Sequence, residues 1–136
     1  MLLRTDFKTH LYPELIAAIE RDDTSKLETA IKASELVAKG FMSRFDKAAL
    51  FAAVDEERDE MLLMLLKDLT VWNFIIIANP NIDTAFHKER YDDTLKLLEK
   101  IQSGKMVPDG WPSAETPSGS DTFFHTASNP RRGTSY

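Results

Sequence analysis

One histidine in the sequence stands close to several carboxylates. His87 is followed by Glu89, Asp92 and Asp93, and such a set could bind a metal ion or act as a general base if the side chains converged. On a single helix, however, His87 and Glu89 point about 200° apart, because each residue is rotated by about 100° from the previous one. The spacing therefore argues against a metal site or a general base at His87, and we expect no metal ion and no cofactor.

A second group of ionisable residues is purely acidic. It consists of Asp55, Glu56, Glu57, Asp59 and Glu60. The run lacks the alternating oxygen ligands and the central glycine of a calcium-binding EF-hand loop. It is typical of a solvated corner between two helices, and it is also a candidate docking patch for a basic partner.

Residue types alone exclude other kinds of chemistry. Because the chain has no cysteine, disulfides, thiolate catalysis and Cys-ligated zinc are impossible. Phosphate-binding glycine loops, the G-x-S-x-G motif and the H-E-x-x-H motif are absent from the sequence. The alternative to a binding function is a small helical enzyme or enzyme subunit that uses His87 or His125 with nearby carboxylates.

Charge and hydropathy narrow the range of partners. The net charge is −5, and no run of Lys and Arg supplies the clustered cations that phosphate contacts need, so nucleic acid is not expected. The most apolar run, residues 69–78, is far shorter than the ~20 residues of a membrane span, so no membrane association is expected. The first ten residues do not resemble a signal peptide. We expect a cytoplasmic protein that binds another protein, and its negative charge favours a basic partner surface.

The elements that must position these residues are helical. Apolar residues recur at three- and four-residue steps in five segments, residues 12–20, 22–40, 43–57, 58–69 and 92–105. In the third segment the predicted inward stripe is Phe45, Ala49, Ala52 and Ala53. Residues 70–81 are the exception, because their Val, Ile, Trp and Phe favour a strand. We interpret this segment as a buried connector in an all-α protein.

A pattern of helix, short charged break and second helix occurs three times, starting at Leu15, Leu50 and Phe86. The starts are 35 and 36 residues apart, a period typical of stacked helical hairpins. Residues 84–87 ("TAFH") match the ankyrin motif T-P-L-H with two apolar replacements, and residues 79–83 ("NPNID") look like the turn before a repeat. Over residues 12–103 the chain thus resembles a degenerate ankyrin-repeat protein, which implies stacked hairpins and a hydrogen-bonding role for His87. Another helical repeat would give the same spacing.

The C-terminal part differs in composition. Residues 104–136 hold four of the five glycines and four of the six prolines, which predicts a helical domain over residues 1–103 followed by an irregular tail. Two aromatic residues in this tail, Phe123 and Phe124, could pack on the last hairpin or bind a partner.

Together these features predict a non-enzymatic protein-binding module that acts as an adaptor, a stoichiometric inhibitor or an immunity-type protein. The residues expected to contact the partner are the acidic run and the two tail aromatics, namely Asp55, Glu56, Glu57, Asp59, Glu60, Phe123 and Phe124. A third possibility is a structural subunit that forms a homo-oligomer through its apolar segment, residues 72–77.

Overall fold

The computed structural model of the protein describes residues 1–78 and 84–114. Within these residues the chain forms α-helices and short 3-10 helices and no strand, so the predicted all-α fold is confirmed. The α-helices are α1 (Pro13–Ile19), α2 (Lys26–Gly40), α3 (Lys47–Ala52), α4 (Glu60–Ala78) and α5 (Ala85–Ser103), and the 3-10 helices span Arg4–Thr9 and Asp55–Glu57. No helix in this part of the chain has the length and apolar character needed to cross a bilayer.

Helix α4 is the centre of the fold, because it packs against α2, α5 and, less extensively, α1. Its fully buried apolar side chains are Leu62, Leu65, Leu66, Leu69, Phe74 and Ile75. They share one core with residues of α2 and α5, including Leu27 and Leu98. One polar link crosses this core: Asn73 Nδ2 donates to Ser34 Oγ at 2.9 Å, and Ser34 donates in turn to the carbonyl oxygen of Ala30.

The predicted connector is part of α4, so the interpretation of residues 70–81 as a non-helical segment is wrong at least as far as Ala78. Its buried residues Val71, Phe74 and Ile75 follow Leu69 at helical spacing. Burial between neighbouring helices outweighs the strand preference of β-branched residues, which is a weak bias of the order of 1 kcal/mol.

The third predicted hairpin is a single helix. A new helix was expected to begin at Asp92 or Asp93, but α5 runs without a break from Ala85 to Ser103. Neither glycine nor proline interrupts this stretch, and Lys88 Nζ lies 2.6 Å from Asp92 Oδ1 one turn away, an arrangement that stabilises a continuous helix. Helix α5 ends where Gly104 adopts a left-handed conformation with φ +83°, as its sequence position predicts.

The first two α-helices lie within their predicted ranges. Pro13 opens α1 and Gly40 is the last residue of α2. The helical spacing of the second segment predicts Leu27, Ala30, Ile31 and Ser34 on one face, and all four are buried. The alanine stripe on α3 is wrong, however, because Ala49 and Ala52 are exposed and Leu50 is buried instead. A leucine removes more apolar area from water than an alanine, so Leu50 sets the rotation of this short helix.

The segment after α5 packs on the helices as far as the structure describes it. Trp111 is buried and meets the ring of Phe45 edge-on, with ring centroids 5.2 Å apart. Two backbone hydrogen bonds flank this contact, from Asp46 N to Pro112 O at 2.9 Å and from Ala114 N to Arg44 O at 3.0 Å. Residues 104–114 therefore pack on the helical body, although they are not helical themselves. Phe123, Phe124 and His125 lie outside the described residues.

Two adjacent isoleucines test the burial pattern of the C-terminal half of α4. Ile75 is fully buried and Ile76 is 50% exposed. We expect Ile75→Ala to lower the free energy of unfolding by about 2–5 kcal/mol, because it opens a cavity in the core. Ile76→Ala is the matched control and should cost less than about 1 kcal/mol. Urea unfolding followed by circular dichroism measures both, and equal losses would contradict this burial pattern.

Candidate functional site: a groove with an acidic rim

Residues 55–60, which include the five acidic residues, form a corner between α3 and α4, which we call the acidic corner. A surface groove of about 490 Å³ lies where this corner meets the segment after α5. We call it the corner groove. One side comes from α3 and the start of α4, and the other from residues 110–112. Its lining residues are Ala49, Leu50, Ala53, Glu57, Arg58, Asp59, Glu60, Met61, Gly110, Trp111 and Pro112. The volume is within the range of small-ligand and side-chain pockets in proteins.

Three apolar residues of the corner groove, Leu50, Met61 and Trp111, form what we call its floor. Trp111 is only 7% exposed, and among the described residues its indole nitrogen has no hydrogen-bond partner. The edge-on contact with Phe45 fixes the orientation of the ring. No motif in the sequence marks these three residues as a binding site. The available signal was Trp111, a large aromatic residue within a stretch rich in proline and glycine.

The rim of the groove is acidic. Of the five predicted acidic residues, Glu57, Asp59 and Glu60 line the groove, whereas Asp55 and Glu56 are exposed beside it. Within the described residues, neither Glu57 nor Glu60 forms an ion pair, since the ion pairs there involve other side chains. Their carboxylates are therefore available to cations from outside the described part of the chain.

Asp59 has a structural task in addition to its place on the rim. Its Oδ1 accepts a hydrogen bond of 2.7 Å from the backbone N–H of Leu62, and its carbonyl accepts one of 2.9 Å from Leu63. Both bonds cap the start of α4, where free N–H groups attract negative charge. A substitution of Asp59 would disturb α4 as well as the groove, so Glu57 and Glu60 are the better residues to test.

Arg58 holds the acidic corner in place. Its guanidinium donates to both carboxylate oxygens of Asp6, at 2.7 and 3.2 Å, and to the carbonyl oxygens of Met1 and Asp55. The hydrogen bond with Asp6 raises the pKa of Arg58. Burial raises the pKa of Asp6, but the bonds from Arg58 and the backbone of Leu3 outweigh it, so the net direction is downward. Because Asp6 compensates Arg58, the net charge of the rim stays negative.

The turn at the corner is backbone-strained. Asp55 has φ +52°, the left-handed region that side chains other than glycine rarely adopt. Aspartate tolerates this conformation better than most residues, because its short polar side chain can interact locally. Asp55 begins the short 3-10 helix between α3 and α4, and Glu57 at the end of that helix lines the groove with Glu60 and Trp111.

Two of the carboxylates that follow His87 in the sequence pair with lysine side chains. Asp92 pairs with Lys88, and Asp93 lies 3.9 Å from Lys96. His87 itself lines a second, smaller cavity of about 200 Å³ together with His10, Asp68 and Arg90. Among the described residues no cluster of three or more histidines and carboxylates is arranged to hold a metal ion.

Asp68 is the buried charge of this second cavity, with a side chain 8% exposed. Arg90 donates to both of its oxygens, at 2.9 and 3.0 Å, and His10 Nε2 lies 3.4 Å from Oδ1 without hydrogen-bond geometry. Burial raises the pKa of Asp68, and the interactions with His10 and Arg90 lower it by more, so its pKa lies below the usual value. No pattern in the sequence indicates this contact, which joins three separate elements.

Thr9 completes a hydroxyl–imidazole–carboxylate series in this cavity, since Thr9 Oγ1 lies 2.8 Å from His10 Nδ1. In a triad of this kind the carboxylate orients the imidazole and stabilises its charged form. Here both oxygens of Asp68 are engaged by Arg90, so the carboxylate is neutralised by that cation. The arrangement is better suited to tying α5 and the first 3-10 helix to α4 than to catalysis.

Comparisons with known proteins give no indication of function. No protein-family model, no curated protein and no solved structure matches the chain.

The ion pair of Asp68 predicts a pH dependence of stability. Folding lowers the pKa of Asp68. Its contribution to the free energy of unfolding is therefore complete above about pH 3.9, the pKa in the unfolded chain, and is lost as pH falls through the lower pKa of the folded state. We expect the free energy of unfolding to fall less steeply below pH ~4 in Asp68→Asn than in the unsubstituted protein. Asp93→Asn, at an exposed position, is the control. Urea unfolding at a series of pH values measures the slopes, and parallel slopes for all three proteins would refute the assignment.

Proposed function

We propose that the chain is a non-enzymatic protein-binding module that acts through the corner groove. An apolar side chain of the partner would contact Leu50, Met61 and Trp111, while Lys or Arg residues beside it would meet Glu57 and Glu60. The observation that carries the proposal is the combination, in one groove, of an apolar floor and carboxylates without an ion pair in the described residues. This combination favours a segment with one apolar anchor and adjacent cations.

The floor and the rim of the groove would make different contributions to binding. Burying one large apolar side chain contributes about 1.5–3 kcal/mol. Each exposed pair between the rim and a cation adds only about 0.2–1 kcal/mol. Charges of this kind act mainly on the association rate and on the choice of partner, and the net charge of −5 acts in the same direction. An adaptor or a stoichiometric inhibitor would work by occupying a partner surface in this way.

The proposal can be tested without a known partner. A displayed library of random peptides is selected on the full chain, and the winners are measured against two double variants. In Glu57→Lys with Glu60→Lys the rim charge is reversed. In Glu89→Lys with Glu99→Lys the same charge change is made at exposed positions of α5 that do not line the groove.

We expect the selected peptides to combine an apolar residue with Lys or Arg. Their affinity should fall by at least about tenfold, or 1.4 kcal/mol, in the rim variant. In the α5 control it should change by less than about twofold. Equal losses in the two variants would mean that only net charge matters. Peptides without cations, or peptides that bind the rim variant unchanged, would refute the proposal. Circular dichroism confirms that each variant keeps its helices.

Self-association is a second candidate function, favoured by a specific observation. Ile76 and Ile77, at the end of α4, are 50% and 47% exposed. Two adjacent exposed isoleucines could be buried against a second copy in a symmetric dimer. Met64, another exposed apolar residue of α4, lies far along the same helix and supplies a matched control position.

Light scattering over a range of concentrations tests this candidate. If the dimer exists, Ile76→Lys combined with Ile77→Lys should lower the mass of the particle to that of one chain, because a buried unpaired charge is costly. Met64→Lys should leave the mass unchanged. A mass of one chain at every concentration of the unsubstituted protein would eliminate the homo-oligomer.

A further inference from the structure

The described part of the chain ends beside the corner groove. Gly110, Trp111 and Pro112 form one side of the groove. Ala114 follows two residues later and is held to the body by its hydrogen bond to the carbonyl oxygen of Arg44. The chain therefore leaves the described structure next to the groove, and residues 115–136 follow.

The composition of that following segment is complementary to the groove. Residues 122–136 contain Phe123 and Phe124, then Arg131 and Arg132, and no Asp or Glu. Two large apolar residues followed by two cations match an apolar floor and an acidic rim. This is also the chemistry expected of a partner segment.

Length does not prevent the contact. Phe123 is nine residues beyond Ala114, and nine extended residues reach about 30 Å. Because the segment is tethered, its effective concentration at the groove is of the order of millimolar. Even a weak contact would thus be populated within one chain.

We propose that residues 122–136 of the same chain bind in the corner groove, with Phe123 or Phe124 on the apolar floor and Arg131 and Arg132 beside Glu57 and Glu60. The segment then competes with any partner for this surface, so partner binding requires its displacement. This inference rests on the groove as the binding site of the proposed function, and it adds a means of regulating that site.

A spin label on the full chain tests the contact. The chain has no cysteine, so Ser128→Cys provides a single attachment site for a nitroxide. We expect the oxidised label to broaden the backbone amide signals of groove residues such as Ala53, Met61 and Gly110, with the reduced label as reference. The broadening should decrease in two full-length variants, Phe123→Ser with Phe124→Ser and Glu57→Lys with Glu60→Lys. In Glu89→Lys with Glu99→Lys it should persist.

Three results would overturn the proposal. The groove amides could show no broadening, or the broadening could be the same in all variants. It could also appear undiminished when a spin-labelled chain is mixed with a separate isotope-labelled chain, which would assign the contact to a second copy.

Peptide binding separates this inference from the proposed function. A peptide selected on the full chain should bind Phe123→Ser with Phe124→Ser about three- to tenfold more tightly, because its competitor is weakened. If the label broadens the groove but no selected peptide depends on Glu57 and Glu60, the proposed function fails and the internal contact stands. If such peptides bind and the label has no effect, the internal contact fails and the proposed function stands.

Discussion

The burial of α4 is the interaction on which the rest of the structure depends. A helix that is apolar around most of its circumference must be covered on several sides, and α2 and α5 provide most of that cover. The start of α4 is then fixed at the edge of the core, and the chain that enters it must turn there. The acidic corner is this turn, so its position follows directly from the packing of α4.

The corner groove combines residues with different constraints. Leu50, Met61 and Trp111 contribute to packing, and Asp59 caps α4. Arg58 is committed to Asp6. Glu57 and Glu60 have no such task within the described residues. Substitutions of Glu57 and Glu60 would therefore alter the charge of the rim without destabilising the fold. Substitutions of Leu50, Met61 or Trp111 would alter the floor of the groove and also disturb the core.

Some of this architecture could be predicted from the sequence and some could not. The helical period gave the all-α fold, the buried stripe of α2 and the exposed corner, because these depend on local spacing. Residues 70–78 are helical because α2 and α5 cover them, although the local preference of Val and Ile favours a strand. The contact of Trp111 with Phe45 and that of Asp68 with His10 and Arg90 join residues far apart in the chain. Pattern alone carries no information about such pairs. The role of the acidic residues in binding stays a prediction.

The central place of α4 also matters for how the protein is synthesised. α2 leaves the ribosome before α4, whereas α5 follows it, so a nascent chain passes through a stage in which Leu98 and Ile101 have not yet arrived to cover their side of α4. Until then the apolar surface of α4 is open to other chains, and exposed surface of this kind promotes aggregation. Fragments that stop before α5 should therefore need chaperones, and any dissection of this protein into shorter pieces has to keep α4 and α5 together.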